Sequence, residues 1–352
     1  MTTAAVTTAL AGFESARQLR TLHGHGFAAS VAAALPAGWA PYRGGEVPAL
    51  QRQLDMLVRP LDQTLLNDTL ADPSDAGLAR WIARGIGVPG LQRASVQSSD
   101  RQGAVVDDQG RVTLWRRYRF QSAHRLPHVP PGHKCGRMHG HGFEAIVQVR
   151  ADDPALSHDT LDDAWAPLHM QLNYGCLNDL RGLENPTSEL LSSWLWGALR
   201  PALPALTGVT VYETASCGAH HDGHDWRIWK DFNFDSASIL RHAPAGDPRA
   251  QLHGYTYLLR LHLHAPLVPR MGWAVDFGDV KTMFTPVFNA VDHRPLHEIA
   301  GLEDGDTATL AAWIHTHGKA RLPQLERVDL YETRGCGTEL GAGAMDRPWL
   351  PA

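Results

Sequence analysis

Apolar and polar positions along this chain follow two periods that change in a repeated order. Tyr-Arg-Phe-Gln-Ser-Ala-His (118–124) and FEAIVQVRA (143–151) alternate with the period of a half-buried β-strand. DTLDDAWAPLHMQL (159–172) and TSELLSSWLWGALRPAL (187–203) space their apolar residues as amphipathic helices, the second opening on Thr187, Ser188 and Glu189. VTVYETA (209–215) and DWRIWKDFNFDSA (225–237) return to alternation, the latter running on into the next segment. The order ββααββ predicts an α+β unit, an antiparallel sheet with both helices on one face.

The same order recurs three times. LHGHGFAASV (22–31), MHGHGFEAIV (138–147) and LHGYTYLLRL (252–261) share a pattern, and His23, His139 and His253 lie 116 and 114 residues apart. RPLDQTLLND (59–68), MQLNYGCLND (170–179) and NAVDHRPLHE (289–298) align, as do Trp81, Trp194 and Trp313 in helical segments. VQSSDRQG (96–103), VYETASCG (211–218) and LYETRGCG (330–337) close each copy. Four blocks in constant order predict a triplicated unit of roughly 115 residues, with divisions expected at 1–114, 115–228 and 229–352. The opening MTTAAVTTALAGFES reads as a disordered tail, without the charged start of a signal peptide.

Composition narrows the function classes. The 352 residues carry a net charge of −5, so no basic footprint favours nucleic acid or an anionic membrane. No run of 18 apolar residues is present, so no transmembrane helix is expected. Four cysteines, at 135, 176, 217 and 336, are too widely spaced for a disulfide framework, which makes a reducing cytoplasm the expected setting.

Candidate chemistry concentrates in QSAHRLPHVPPGHKCGRMHGHGFE (121–144). His139 and His141 project from one face of a strand, and a hairpin with 118–124 would bring His124 opposite them. Three imidazoles converging on one point suit zinc with its fourth position open, the arrangement of a catalytic site. Cys135, four residues before His139, would serve there as base or nucleophile, or as a fourth ligand that closes the site. His128 and His133 fall in the Pro-rich connection and read as solvent-exposed. His220, His221 and His224 read as a polar loop cluster.

SAHRLPHVPPGHKCGRMHGHGFE, with LNDLRGLENPTSELLSSWLW (177–196) and VTVYETASCG (209–218), resembles the 6-pyruvoyltetrahydropterin synthase superfamily. The short spacing from Cys135 to HGH is similar to its bacterial 6-carboxytetrahydropterin synthase branch, which serves queuosine biosynthesis. The resemblance implies the tunnelling fold, in which three units close an antiparallel barrel, here within one chain. It further implies two such rings stacked face to face, a homodimer of fused pseudo-trimers. Zinc on His124, His139 and His141 would act on 7,8-dihydroneopterin triphosphate, a small-molecule pterin substrate. Cys135 would move protons, Glu213 would anchor the pterin, and Thr187 and Ser188 would line its pocket. The family's Asp-His dyad falls on Asp292 and His293.

The three copies differ in what they keep. The first has His23 and His25 but Arg17 where the third ligand belongs, and a cation does not coordinate zinc. The third has His253 but Ser238 and Tyr255 in place of His124 and His141. The middle copy has Asn173 and Tyr174 at the dyad, and the first has Asp62 and Gln63. One composite site is therefore expected, with zinc and Cys135 from the second unit and Asp292 and His293 from the third. Glu332 repeats Glu213 in the third unit, where it reads as a surface carboxylate.

Overall fold

The computed structural model of the chain describes residues 5–151 and 156–341. The first unit comprises β1 (Ala5–Gln18), β2 (Leu22–Ala33), α1 (Glu46–Val58), the two-residue β3 (Thr64–Leu65), α2 (Asp75–Gly85), β4 (Leu91–Ser99) and β5 (Gln102–Asp107). The second repeats it as β6 (Val112–His124), β7 (His139–Arg150), α3 (His158–Leu172), β8 (Gly175–Cys176), α4 (Ser188–Leu199), β9 (Leu206–Thr214) and β10 (Cys217–His221). The third is β11 (Trp226–Ser238), β12 (His253–Leu263), α5 (Phe277–Val291), β13 (Arg294–Pro295), α6 (Thr307–Arg321), β14 (Leu325–Thr333) and β15 (Cys336–Gly341). Each unit thus has the expected ββααββ order, with one short extra strand between its helices.

Twelve long strands close into one antiparallel barrel. β5 pairs with β6 through Gln102↔Arg116, and β10 with β11 through His221↔Trp226. The first strand meets the last, Ala5↔Leu340 to Thr8↔Gly337. Closure leaves no long edge unpaired, which is what three fused tunnelling-fold units achieve without a partner chain. Leu50, Leu54, Leu78, Ile82, Trp165, Leu191, Phe284 and Ile314 bury the helix faces against one side of the sheet. Alternate strand residues turn the other way and carry a buried polar network. There Arg93 and Arg327 both pair with Glu339, and Asp329 accepts from Arg327 and faces His262 at 2.8 Å.

Two expectations change. The N-terminal segment is no tail, because from Ala5 onward it is β1, hydrogen-bonded to β2 and β15; residues 1–4 lie outside the described chain. Its inward positions Ala9, Ala11 and Phe13 alternate correctly, but two alanines give too little apolar contrast to mark a strand. His220 and His221 are buried on β10 rather than held in a loop. His220 bonds Thr210 at 2.7 Å and His221 stacks on Trp226, while His224 lies in the following turn.

Candidate metal and substrate site

The hairpin β6–β7 aligns His124 directly opposite His139 and Ser122 opposite His141. The connection folds back on itself, since the Leu126 N–H donates to the Cys135 carbonyl at 2.8 Å. Rings converge at centroid separations of 4.5 Å (His124–His139), 5.2 Å (His124–His141) and 5.1 Å (His139–His141). The candidate ligand atoms of these three and of Glu213 all lie within 4.8 Å of one another.

The donor set fits a metal ion. His139 Nδ1 is 2.8 Å from the Arg137 carbonyl, and His124 Nδ1 is 3.2 Å from that of Pro186. A ring whose Nδ1–H donates to a carbonyl presents its Nε2 lone pair inward, the orientation metal-binding imidazoles adopt. Among the described residues the buried Nε2 atoms of His124 and His141 find no hydrogen-bond partner, an arrangement that otherwise costs free energy. Burial lowers the pKa of both rings and keeps them neutral, as ligation requires.

Around the cluster, Cys135 is half-buried in the 3₁₀ turn Lys134–Gly136 and lies outside the coordinating group. Burial raises its thiol pKa, and the carboxylates of Glu213 and Asp276 add to the effect. Glu213 is the penultimate residue of β9, where its Oε2 accepts from the Ser188 hydroxyl at 2.7 Å and its Oε1 lies 3.4 Å from His141 Nε2. Thr187 is committed structurally, capping α4 through the Leu190 N–H and donating to the Gly272 carbonyl at 2.6 Å.

That last bond exposes what local pattern did not indicate. The β12–α5 connection of the third unit lies over the second unit's site. Asn185 donates to the Met271 carbonyl (2.7 Å), and the Ala274 N–H donates to Glu189 (2.8 Å). His133, expected in solvent, is half-buried, its ring 6.0 Å from Trp273 and its Nε2 3.5 Å from Asp276; His128 is exposed. Only the Pro and Gly of this connection were legible, and they mark a loop without saying where it docks.

In the first unit the guanidinium of Arg17 stands at the register position of His124, opposite His23. It is buried and pairs with buried Asp75 at 2.6 Å, while Asp75 also accepts from Ser98. This unit has filled its centre with an internal ion pair.

The dyad is built into a turn common to all units. Asp62, Asn173 and Asp292 each accept from an N–H of their unit's first strand, those of Glu14 (2.8 Å), Gln121 (2.9 Å) and Asp235 (3.1 Å). Each is followed by a left-handed residue, Gln63 (φ 57°), Tyr174 (φ 60°) or His293 (φ 54°). The turn is structural, and only the third copy places an imidazole on it. Asp292 Oδ2 lies 3.0 Å from His293 Nδ1, and the His293 side chain is 75% exposed. With Leu252, His253 and Tyr255 it lines a cavity of about 720 Å³ in its own unit. Among the described residues no hydrogen bond or ion pair joins His293 to the histidine cluster.

Three-unit barrel, hairpin histidines and adjoining thiol define a tunnelling-fold protein with a candidate metal-binding cluster. The 6-pyruvoyl tetrahydropterin synthase family matches at residues 113–224 and again at 227–342, and the chain belongs to that family. A 6-carboxy-5,6,7,8-tetrahydropterin synthase of Synechocystis is 33% identical over 119 residues, 31% of this chain and 91% of the relative. A dihydroneopterin monophosphate aldolase of Pyrococcus furiosus is 30% identical over 117 residues, 32% of this chain and 96% of the relative. Among solved structures, the Caenorhabditis elegans 6-pyruvoyl tetrahydropterin synthase aligns at 20% identity and TM-score 0.30, covering 33% of this chain and 95% of that one.

Proposed function

We propose that the protein is a zinc-dependent 6-carboxytetrahydropterin synthase. It would convert 7,8-dihydroneopterin triphosphate to 6-carboxy-5,6,7,8-tetrahydropterin, acetaldehyde and triphosphate in the cytoplasmic route to 7-deazaguanines. The observation that carries this reading is the convergence of His124, His139 and His141, two with buried Nε2 atoms that find no partner among the described residues, beside Cys135 and Glu213. Zinc bound there would supply Lewis-acid polarisation of the substrate's side-chain oxygens.

The chain's own residues supply the rest. Glu213, steadied by Ser188 on one oxygen, accepts hydrogen bonds from the N–H edge of the pterin. Thr187 holds the third unit's loop as a wall of the pocket. Cys135 takes a proton from the side chain as base, and His293, oriented by Asp292, returns one as acid. Because His293 points into its own unit's cavity, we assign the dyad to a second chain stacked on the same rim. The divisions 1–114, 115–228 and 229–352 then stand for three descendants of one ancestral subunit, of which one supplies zinc and another the dyad.

Product analysis tests the reaction. Purified protein given 7,8-dihydroneopterin triphosphate should release acetaldehyde and triphosphate. A pyruvoyl product would instead indicate elimination without loss of the two-carbon fragment. No turnover would indicate a zinc- and pterin-binding protein. The aldolase relative favours one further arm, the same assay with dihydroneopterin monophosphate; turnover of that compound alone would replace the proposed substrate.

A further inference from the structure

We infer that the third unit holds a second, metal-free binding site for a planar 2-amino-4-oxo heterocycle bearing an anionic substituent. The reading of Glu213 given above underlies the ligand class.

The frame of the middle site is preserved in the third unit. The Leu240 N–H donates to the Arg249 carbonyl at 2.9 Å, as that of Leu126 does to Cys135. Asp247 accepts from the Arg249 N–H as His133 accepts from that of Cys135. Arg249 therefore stands where the middle unit has its thiol. Ser238 faces His253 across the hairpin, where the middle unit has His124 and His139. Thr307 donates to Glu332 as Ser188 donates to Glu213, both across 25 residues. Tyr255, at the position of His141, lines the same cavity as Glu332. Two of the three histidines and the counterpart of Cys135 are gone, His253 stays, and the paired carboxylate remains.

Glu332 is no surface remnant. Burial raises its pKa, opposed by Thr307 and by the charge of Arg249. It lines a cavity of about 380 Å³ with Arg249, Tyr255 and Cys336, closed on one side by Gln51 and Arg52 from α1. That volume falls within the range of small-molecule pockets. A carboxylate matches two adjacent N–H donors of such a ring. Arg249 is held by Asp247 and the Tyr42 hydroxyl, so its guanidinium is oriented before a ligand arrives, and with Arg52 it offers positive charge to a carboxylate or phosphate. The first unit carries no such site, because the Arg17–Asp75 pair occupies its centre. Lacking two of the three histidines and the counterpart of Cys135, the third site binds without turnover.

Calorimetric titration of the full chain with pterin-6-carboxylate, which the enzyme does not consume, tests this. Two ligands per chain are expected. Glu332→Gln and Arg249→Ala should each weaken one binding event at least ten-fold and leave the other, and the retained event should survive zinc chelation only in Glu213→Ala. Glu332→Gln keeps an oxygen for Thr307, and circular dichroism verifies that both variants fold. One ligand per chain, lost in Glu213→Ala and unaltered in Glu332→Gln and Arg249→Ala, overturns the inference. Two ligands, with Glu213→Ala binding both, would overturn the role given to Glu213 while leaving the third-unit site standing.

Discussion

At the scale of residues, three copies of one pocket show how little separates a metal centre from an ion pair. The middle pocket has three converging imidazoles, two with buried nitrogens that find no partner among the described residues, and the first has the guanidinium of Arg17 against Asp75. Purified protein should therefore hold about one zinc per chain, since among the described residues His124, His139 and His141 are the one complete three-histidine set. Cys135→Ala should abolish turnover and keep that zinc, because the thiol lies outside the coordinating group. Elemental analysis showing zinc lost in this variant would make Cys135 a ligand and the site structural. In the first unit, Arg17→Met leaves the Asp75 carboxylate buried without its cation and should cost about 3–5 kcal/mol of unfolding free energy. Adding Asp75→Leu should recover part of that loss in urea melts, and an Arg17→Met protein as stable as the parent would show the pair to be dispensable.

At the scale of elements, the site joins a hairpin of one unit to a loop of the next. Glu189, first-turn residue of α4, accepts from Ala274 in that loop, and burial raises its carboxyl pKa to about 7. A carboxyl raised on folding contributes stability in its protonated form, fully present in acid and withdrawn as pH climbs through its folded value. Parent protein should thus lose thermal stability between about pH 4.5 and about pH 7, the ordinary and folded values of this carboxyl, relative to Glu189→Gln, whose amide oxygen still accepts from Ala274. Parallel melting curves for the two proteins across that interval would reject the assignment. The hairpin was legible in the sequence because a period of two fixes both face and register, so HGH and Tyr-Arg-Phe-Gln-Ser-Ala-His already place three histidines together. The loop over the site was not, since residues 271–276 dock about 85 positions away from Asn185, Thr187 and Glu189 with no periodicity to announce it. β1 stayed hidden for a related reason, as its first residues, Ala5 to Thr8, pair with the last strand of the barrel. His220 and His221 looked like loop residues because consecutive histidines are polar, whereas a closed barrel buries both faces of β10.

At the scale of the molecule, the barrel closes all of its strand edges and leaves one rim exposed. Leu22, Met138 and Leu252 precede the three HGH-type motifs at equivalent positions and are 63%, 55% and 64% exposed, and Tyr174, the second unit's counterpart of His293, is 86% exposed. Apolar side chains repeated around a pseudo-threefold ring suit a second ring stacked on the same rim, and Leu252 shares its cavity with His293. Stacking would carry the dyad of one chain toward the zinc pocket of the other. His293→Ala should then lower turnover by about 10²–10⁴-fold, the usual range for loss of a general acid or base. Zinc content and melting temperature should not change, because an exposed side chain on a turn that also accepts glutamine and tyrosine carries little of the core. Mixing His293→Ala with Cys135→Ala then distinguishes one chain from two. Each variant alone is inactive, but a mixed dimer pairs an intact zinc pocket and thiol from one chain with an intact dyad from the other. Random exchange makes half of the dimers mixed, and each of these holds one complete site where the parent dimer holds two, so activity should recover to about one quarter of the parent's. Exchange is followed independently by native mass spectrometry of chains carrying different isotopes. Mixed dimers that form and stay inactive would place both halves of the site in one chain, and full activity of His293→Ala alone would remove the dyad from the reaction.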